Sequence, residues 1–361
     1  MPKVHFNYSK EINGFKDSRI KGIGTEVSAL IEEGLKDDKA KKSVIPWLYN
    51  EVKSNKQTER ISIEEGYDLM DPTHDGDPAK TDKTNEIGHK DISHIVYTKN
   101  VVLTESILED AQGNMTPDIE LAARSLPNSY WRTREAVAQG AYINGEQERF
   151  LFRGAPIDTT TYDGKPLFST QHTYGDEEGH AFGTQSNLYY IKLGDNYTAG
   201  DIAEVLSASA AVINQMLNSN GEAQDFDADT VLVPRGVATN GFVDKVRRAI
   251  GSEFFPSTAN SHDVNTINTQ SGQWNFVPMG LWKPDKPEII VMSQDAKKMM
   301  KSMLYNRIGL QVKVWEAPGT GNLNWRSRAR FGVGHVDYKH CMKVKILGSS
   351  DSTDGMTELK I

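Results

Sequence analysis

Residues 163–172 read DGKPLFSTQH and are the most distinctive stretch of the chain. Asp-Gly is a typical turn dipeptide, and Lys-Pro extends the chain after it. We expect the apolar pair Leu167 and Phe168 to be buried in a short strand, which the polar residues Ser-Thr-Gln-His then leave. Because no residue in the stretch is placed to activate a nucleophile, the pattern favours a structural role.

A long helix is predicted upstream, over residues 116–144. Thr116 suits the N-cap and Pro117 the first helical position. Apolar residues then recur at steps of three and four up to Asn144-Gly145, a common helix end. Residues 150–195 mix turns with short strands. The region therefore predicts one dominant helix beside small β elements.

Residues 198–310 predict a compact α/β unit. Thr198 and Asp201 form the pattern of a capping box at the start of a helix over 198–217. Strands and helices then alternate, which is typical of a layered α/β fold. We predict strands at 229–233 and 288–292, helices at 242–250 and 294–305, and later strands at 310–315 and within 328–346.

The first hundred residues read differently. Residues 1–58 look like an extended arm with one or two short helices and without a core of its own. Residues 59–95 are polar and turn-rich, and the stretch 71–78 holds several turn formers. Ile61 and Ile63 on one side, and residues 95–103 on the other, predict two strands that carry a long protruding hairpin.

Composition excludes several classes of protein. The chain has 361 residues, with 41 Lys and Arg against 49 Asp and Glu, a net charge of −8, 25% charged and 37% hydrophobic residues, so it is not predicted to be disordered. We found no apolar run of spanning length and no secretory signal pattern. The single cysteine, Cys341, cannot form an internal disulfide, which favours synthesis in the cytoplasm. The length predicts two domains.

Charge is concentrated in blocks. Residues 297–345 carry a local balance of +9, residues 172–229 a balance of −9, and residues 59–91 a balance of −6. Blocks of opposite sign can pair between copies of one chain, or they can simply be solvated faces. The acidic total argues against a dedicated nucleic-acid binder.

Catalytic signatures are missing from the sequence. It holds no Gly-x-Ser-x-Gly, no His-Glu-x-x-His and no phosphate loop, and its Gly-x-Gly pairs, such as Gly332 and Gly334, are read as turns or strand kinks. Weak metal candidates are His172, Asp176 and His180, with Glu178 beside them, and a weaker group is His89, Asp91 and His94. We therefore predict that the protein is not an enzyme and that it binds no cofactor and no metal.

The string 163–172 is similar to the signature of tailed-bacteriophage major capsid proteins of the Mu-like major head subunit type. Three further stretches resemble that family in the same order along the chain: VLTESILED at 102–110, DTVLVP at 229–234 and RFGVGHVDY at 330–338. The similarity covers roughly residues 60–346. It implies an α+β fold, the tailed-phage (phage/herpesvirus) capsid fold, with a peripheral domain of a long spine helix plus antiparallel strands, an axial α/β domain, an extended hairpin loop and an N-terminal arm.

The resemblance also divides the chain into five parts and implies a function. The parts are the arm 1–58, the hairpin loop 59–100, the peripheral domain 101–195 with the spine helix 116–144, the axial domain 196–322, and a return to the peripheral domain at 323–361. The implied function is a major capsid protein whose hexamers and pentamers close into an icosahedral shell around double-stranded DNA, without sequence-specific binding. The implied place is the virion, assembled in the host cytoplasm and not in a membrane.

Partners and assembly residues follow from the same resemblance. Many copies of the chain, a separate scaffolding protein, a portal and decoration proteins are the expected partners. Assembly contacts are assigned to Glu65, Asp71, Lys80, Lys83, Lys90, Trp315, Arg326 and Arg328. The alternatives are an encapsulin-like compartment with the same fold, a metal-dependent hydrolase that uses the 172–180 loop, and a monomeric binding module.

Overall fold

The computed structural model describes most of the chain. The described residues are 26–27, 29–34, 43–65, 70, 72–75, 78, 85–111, 116–175, 181–194, 196–219, 221–235, 241–252, 265, 274–299, 302–317, 319–353 and 355–361. They form an α+β protein, as predicted, with two main sheets and three two-stranded hairpins. No helix in these ranges is both long and apolar enough to span a bilayer.

A four-stranded sheet carries the first layer. Its order is β1-β13-β14-β4, in which β1 runs parallel to β13 and the other neighbours are antiparallel. The strands are β1 Asn50–Lys53, β4 Ile95–Leu103, β13 Met303–Glu316 and β14 Leu323–Gly334. β13 and β14 form a long antiparallel hairpin, in which the paired residues run from Met303 opposite Gly334 to Glu316 opposite Leu323.

The long helix α3, Pro117–Ile143, packs on this sheet and confirms the predicted spine helix within one residue. Its 27 residues span about 40 Å. Ile119, Ala123, Leu126 and Val137 recur at helical spacing and are buried in the same core as Trp325 and Phe331 of the sheet. Thr116 occupies the N-cap with an extended backbone, but its hydroxyl makes no capping hydrogen bond.

A six-stranded sheet forms the second layer, in the order β11-β10-β12-β15-β9-β16. Its strands are β9 Leu188–Lys192, β10 Thr230–Pro234, β11 Asn275–Met279, β12 Glu288–Met292, β15 Cys341–Leu347 and β16 Thr357–Glu358. Helices α4 Ala199–Asn214 and α5 Phe242–Gly251 bury their apolar faces in its second core cluster. The capping box of Thr198 and Asp201 is present, as predicted. The predicted alternation of strand and helix in this region is therefore confirmed.

The helix predicted over 294–305 is wrong in its second half. Helix α6 ends at Met299, and β13 begins at Met303. Met303 pairs with Gly334, and β1 pairs along the same stretch from the other side. Two neighbouring strands therefore override the local apolar pattern.

The sheets do not follow the predicted boundaries at 196 and 323. β13 falls in the predicted axial range yet lies in the four-stranded sheet, and β15 and β16 fall in the predicted peripheral range yet lie in the six-stranded sheet. Strand pairing over long sequence distances decides this arrangement, and a linear division of the chain cannot represent it. The division into peripheral and axial domains stays a prediction.

Part of the predicted arm, residues 44–49, has no core of its own but packs into the main core of the chain. A short helix, α1 Ile45–Leu48, packs against the spine helix together with the residue after it, Tyr49. The side chains of Ile45, Leu48 and Tyr49 are buried there. The buried Lys297 of α6, Gln294–Met299, donates from Nζ to the carbonyl oxygen of Pro46 at 2.6 Å. Residues 1–25 of the predicted arm lie outside the described ranges.

A two-stranded ribbon stands apart from both sheets. β2 Thr58–Glu65 pairs antiparallel with β3 Asn85–Ser93 and with no other strand among the described residues. The predicted hairpin is present, but its second strand was placed too late, since Ile95–Leu103 is β4 of the four-stranded sheet. The apolar run at 95–103 was mistaken for the partner of β2 because β3 carries several polar and charged residues, which hide it from pattern reading.

Three short elements complete the description. Hairpin β5 Arg149–Phe152 with β6 Ala155–Asp158 follows the spine helix, and β7 His172–Gly175 pairs with β8 Ala181–Gln185. The helix α2, Glu105–Ala111, precedes the spine helix. These confirm the predicted mixture of turns and short strands over 150–195.

Replacing Gly332 with alanine is expected to lower the free energy of unfolding by about 1–3 kcal/mol. A Cβ at Gly332 of β14 would lie 2.5 Å from the carbonyl oxygen of Ser93, at the point where the ribbon meets the sheet. The backbone cannot move away there as a flexible side chain could. Urea unfolding followed by circular dichroism measures the loss.

The matched control is Gly251→Ala, since a Cβ at that helical position contacts nothing within 4 Å. We expect the control to be neutral or slightly stabilising. Equal unfolding midpoints for the two variants would show that a Cβ at Gly332 does not destabilise the fold. The sequence reading of the Gly332 and Gly334 pair as a strand feature is confirmed, because both lie inside β14.

Candidate assembly surfaces

The 163–172 string folds around one buried carboxylate. Asp163 accepts hydrogen bonds from the hydroxyl of Thr161 at 2.6 Å, from the backbone N–H of Lys165 at 3.1 Å and from Nδ1 of His172 at 2.8 Å. The side chains of Asp163 and His172 are 1% and 0% exposed. Burial alone would raise the pKa of Asp163, but the hydrogen bond and charge of His172 and the further donors lower it below its usual value.

The same string is tied to the end of the spine helix. Phe168 donates its backbone N–H to Gly145 at 2.8 Å, and Leu167 donates to Thr159 at 3.0 Å. Both side chains are buried, as predicted. The His172 ring stacks on the Tyr338 ring with centroids 3.7 Å apart, which joins the string to the loop between β14 and β15. The distinctive sequence is thus a structural joint between three parts of the fold.

The weak metal candidates do not form a described site. Both ring nitrogens of His172 have partners, Asp163 and the carbonyl oxygen of Leu167, and the ring is fully buried. Asp176, Glu178 and His180 lie outside the described residues. Among the described residues no three His, Cys, Asp or Glu side chains form a group that could hold a metal ion. Two residues of the weaker candidate group also have other partners. Asp91 pairs with Arg60 at 2.8 Å, and His94 Nδ1 lies 2.7 Å from the carbonyl oxygen of Gln57.

Two of the predicted assembly residues, Glu65 and Lys90, lie in the ribbon. Glu65 lies at the end of β2, opposite Asn85. Asp71, Lys80 and Lys83 lie outside the described residues. Lys90 is buried, and its ammonium donates to Asp158 at 2.6 Å and to the Thr160 hydroxyl. This pairing fastens the ribbon to β6 of the same chain and is at odds with a contact of Lys90 between copies.

The pairing with Lys90 also affects the pKa of its partner, Asp158. Burial alone would raise the pKa of Asp158, but hydrogen bonds from Lys90 and Thr160 lower it. The lowered pKa means that the pair is favourable in the folded chain at neutral pH.

The face of the four-stranded sheet turned away from the spine helix carries the other three predicted residues. Arg326 and Arg328 are exposed on β14, and Trp315 of β13 is 39% exposed. Val96 and Val102 of β4 share this face, 44% and 48% exposed. We call this surface the outer face. Large apolar groups beside unburied arginines are the composition that contact surfaces show at their centres.

A second surface was missed by sequence reasoning. A groove of about 780 Å³ runs beside the spine helix, between the β5–β6 turn and the end of β10. Its cationic lining residues are Lys99, Arg132, Arg153 and Arg235, and we call it the cationic groove. The four residues lie far apart in sequence, so no local pattern joins them. The local signal that could have pointed to this groove is Arg153-Gly154, an unusual pair for a tight turn.

A buried polar cluster joins four parts of the chain. The Tyr142 hydroxyl of the spine helix donates to the carbonyl oxygen of Leu48 at 2.8 Å and lies 3.0 Å from Nε2 of His340. His335 lies 3.2 Å from the Ser302 hydroxyl. Burial lowers the pKa of His340 to about 3 and holds that of His335 well below its usual value. Both imidazoles are therefore neutral in the folded chain at pH 7.

Comparisons with known proteins gave no relative by sequence: no family model matches the chain, and no curated protein matches it. Solved structures of similar architecture include the capsid of the cyanophage P-SCSP1u, 11% identical over 84% of this chain and 87% of that one, with a TM-score of 0.47. The virus-like particle from Pyrococcus furiosus is 8% identical over 89% and 98%, with a TM-score of 0.46. The capsid of the Myoviridae phage XM1 is 11% identical over 82% and 89%, with a TM-score of 0.44.

Proposed function

We propose that this chain is the major capsid protein of a tailed bacteriophage, a structural protein and not an enzyme. The observation that carries the proposal is the β2–β3 ribbon. Its strands pair only with each other within the described chain, and it is fastened to the body by Lys90 and by a small apolar cluster that includes Ile63 and Ile92. A two-stranded ribbon is marginal in water by itself and gains stability by lying on another surface.

The surface that suits the ribbon is a second copy of the chain. The outer face carries exposed arginines and apolar side chains, and the ribbon region 59–91 has a local balance of −6. Complementary charge on one chain supports a contact in which one copy covers the next, and such contacts close into rings. Glu65, Asp71, Lys80, Lys83, Trp315, Arg326 and Arg328 are retained as proposed contacts of this kind.

The proposed assembly consists of hexamers and pentamers that close into an icosahedral shell around double-stranded DNA. A net charge of −8 is compatible with a wall that does not adhere to a packed genome. A separate scaffolding protein, a portal and decoration proteins belong to this proposal, as do the virion as its location and the host cytoplasm as its place of assembly. The Mu-like subtype rests on the 163–172 string and on the three further stretches that resemble that family in the same order.

Negative-stain electron microscopy with analytical ultracentrifugation tests the proposal. We expect closed shells, tubes or ring-shaped capsomers from the purified chain, alone or with the scaffolding protein encoded beside it. The variant Arg326→Glu with Arg328→Glu is expected to reduce the assembled fraction at least tenfold while its circular dichroism spectrum is unchanged, because the outer face would then repel an acidic ribbon.

The matched control is Lys360→Glu, a charge reversal at an exposed residue away from the outer face. It should assemble as the wild type does. A 40 kDa monomer at high concentration with scaffold present would overturn the proposal in favour of a monomeric binding module. Shells that hold a protein cargo and exclude DNA would support the encapsulin-like compartment instead.

A further inference from the structure

The cationic groove has charge that the described part of its own chain does not neutralise. None of Lys99, Arg132, Arg153 and Arg235 forms an ion pair with another described residue, and the one carboxylate in the lining, Glu135, accepts from Ser43 and Gln139. The indole N–H of Trp131, also in the lining, is buried and without an acceptor. Unpaired guanidinium groups beside an unused buried donor are suited to an incoming carboxylate.

The backbone of Arg153 is held in an unfavourable conformation at the mouth of the groove. Arg153 and Gly154 connect β5 to β6, with φ values of 48° and 87°. A two-residue turn with both φ positive prefers Asn, Asp or Gly at its first position. An arginine in the left-handed region costs about 1 kcal/mol. Such strain is found where a side chain serves function, and here it places a guanidinium at the groove.

The only other described residue besides glycine with a positive φ carries the opposite charge. Asp225, with φ of 54°, lies in the loop between α4 and β10 and is exposed. Asp227 of the same loop is exposed as well. The surrounding stretch, residues 193–234, holds seven acidic residues and no Lys or Arg. We call residues 218–229 the acidic loop.

The two features lie at opposite ends of one strand. The acidic loop leads into β10 at Thr230, and Arg235 directly follows its last residue, Pro234. Asp229 and Arg235 are six residues apart, about 20 Å along an extended strand. The loop therefore cannot reach the groove of its own chain through this strand. A second copy, placed head to tail, brings loop and groove together.

We propose that the acidic loop of one copy binds in the cationic groove of the next, with Asp225 and Asp227 against Arg153 and Arg235. The contact is heterologous: each copy offers the groove on one side and the loop on the other, so repeated contacts form a ring if the rotation closes. The inference rests on the proposed function, since it names the contact that would hold neighbours within a capsomer. It is separate from the contact of ribbon and outer face.

A charge exchange tests the pairing. Arg153→Glu with Arg235→Glu should reduce the yield of rings and shells at least tenfold, and so should Asp225→Lys with Asp227→Lys, because each leaves like charges facing each other. The chain with all four substitutions restores opposite charges and is expected to recover assembly to within about threefold of the wild type. Lys298→Glu with Lys360→Glu is the control, since both lysines are exposed and lie outside the groove lining. It should assemble normally.

Cross-linking gives a second readout, which does not depend on whether the charge-reversed variants fold. The variant Arg153→Cys with Asp225→Cys is treated with a short bismaleimide; the natural Cys341 is buried. We expect a ladder of covalent oligomers from the double variant in denaturing gels and only monomer from either single variant. Rings that form as before in both reversed variants, or a double variant that gives no ladder within assembled shells, would overturn the inference and leave the capsid proposal intact. A wild-type chain that never assembles would overturn both.

Discussion

Replacement of Asp163 by alanine is expected to lower the free energy of unfolding by about 3–5 kcal/mol. The carboxylate is buried and accepts from Thr161, Lys165 and His172, so alanine would leave these donors unpaired in the interior. His172 would keep its stacking on Tyr338 but lose the hydrogen-bond partner of its Nδ1. Urea unfolding of the purified chain at pH 7 measures the effect.

The way in which this loss of stability depends on pH follows from the lowered pKa of Asp163. A carboxylate with a pKa below its unfolded value stabilises the fold above that unfolded value, about 3.8 to 4, and the contribution is lost as the pH falls through the folded pKa. The difference between wild type and variant should therefore be full at pH 7 and shrink below pH 4. Asp285→Ala, at an exposed aspartate, is the control and should change stability by less than about 0.5 kcal/mol. A variant as stable as this control would contradict the role of Asp163 as the centre of the joint.

Acidification is expected to destabilise the fold steeply below about pH 6.5, through His335 and His340. Burial depresses the pKa of His340 to about 3, and that of His335 lies well below its usual value. The unfolded chain therefore binds two protons that the folded chain does not. Stability falls as the pH drops from the unfolded pKa, by about 1.4 kcal/mol per pH unit for each histidine. Between pH 6.5 and pH 5 the two together remove about 3 kcal/mol, because the full slope is reached only below the unfolded pKa.

Unfolding in urea across this pH range measures the slope. His340→Gln should have a lower stability at pH 7 but about half the slope between pH 6 and pH 5, because one of the two protons is no longer taken up. His89→Gln, at an exposed position of β3, is the control and should keep the wild-type slope. A slope that is unchanged in His340→Gln would show that other groups cause the acid sensitivity.

Local sequence patterns were sufficient to predict those helices and strands whose determinants lie within a short stretch of the chain. The spine helix follows from its N-terminal Thr-Pro and its three-and-four spacing, and α4 follows from the Thr198–Asp201 capping box. β12 matches its predicted bounds because it is a run of five consecutive buried residues, four of which are apolar. In each of these the information lies within one short window.

Pairings between distant segments could not be predicted in the same way. β3 is polar and charged, so only its register with β2 reveals it as a strand. β13 begins where a helix was expected, since β1 and β14 hold it from both sides. The candidate surfaces share this property: the outer face was partly predicted through Trp315, Arg326 and Arg328, whereas the cationic groove gathers residues from four separate segments and has no sequence signature.

The four-stranded sheet has a consequence for the kinetics of folding. β1 and β13 are adjacent in space, yet about 250 residues separate Asn50 from Met303. Closing so long a loop must precede the favourable pairing, and chains rich in such distant contacts fold slowly. During that delay the facing edges of β1 and β13 are unpaired and can join to other chains. A cell that makes many copies at once therefore needs a chaperone or a modest rate of synthesis to reach the folded subunit before aggregation does.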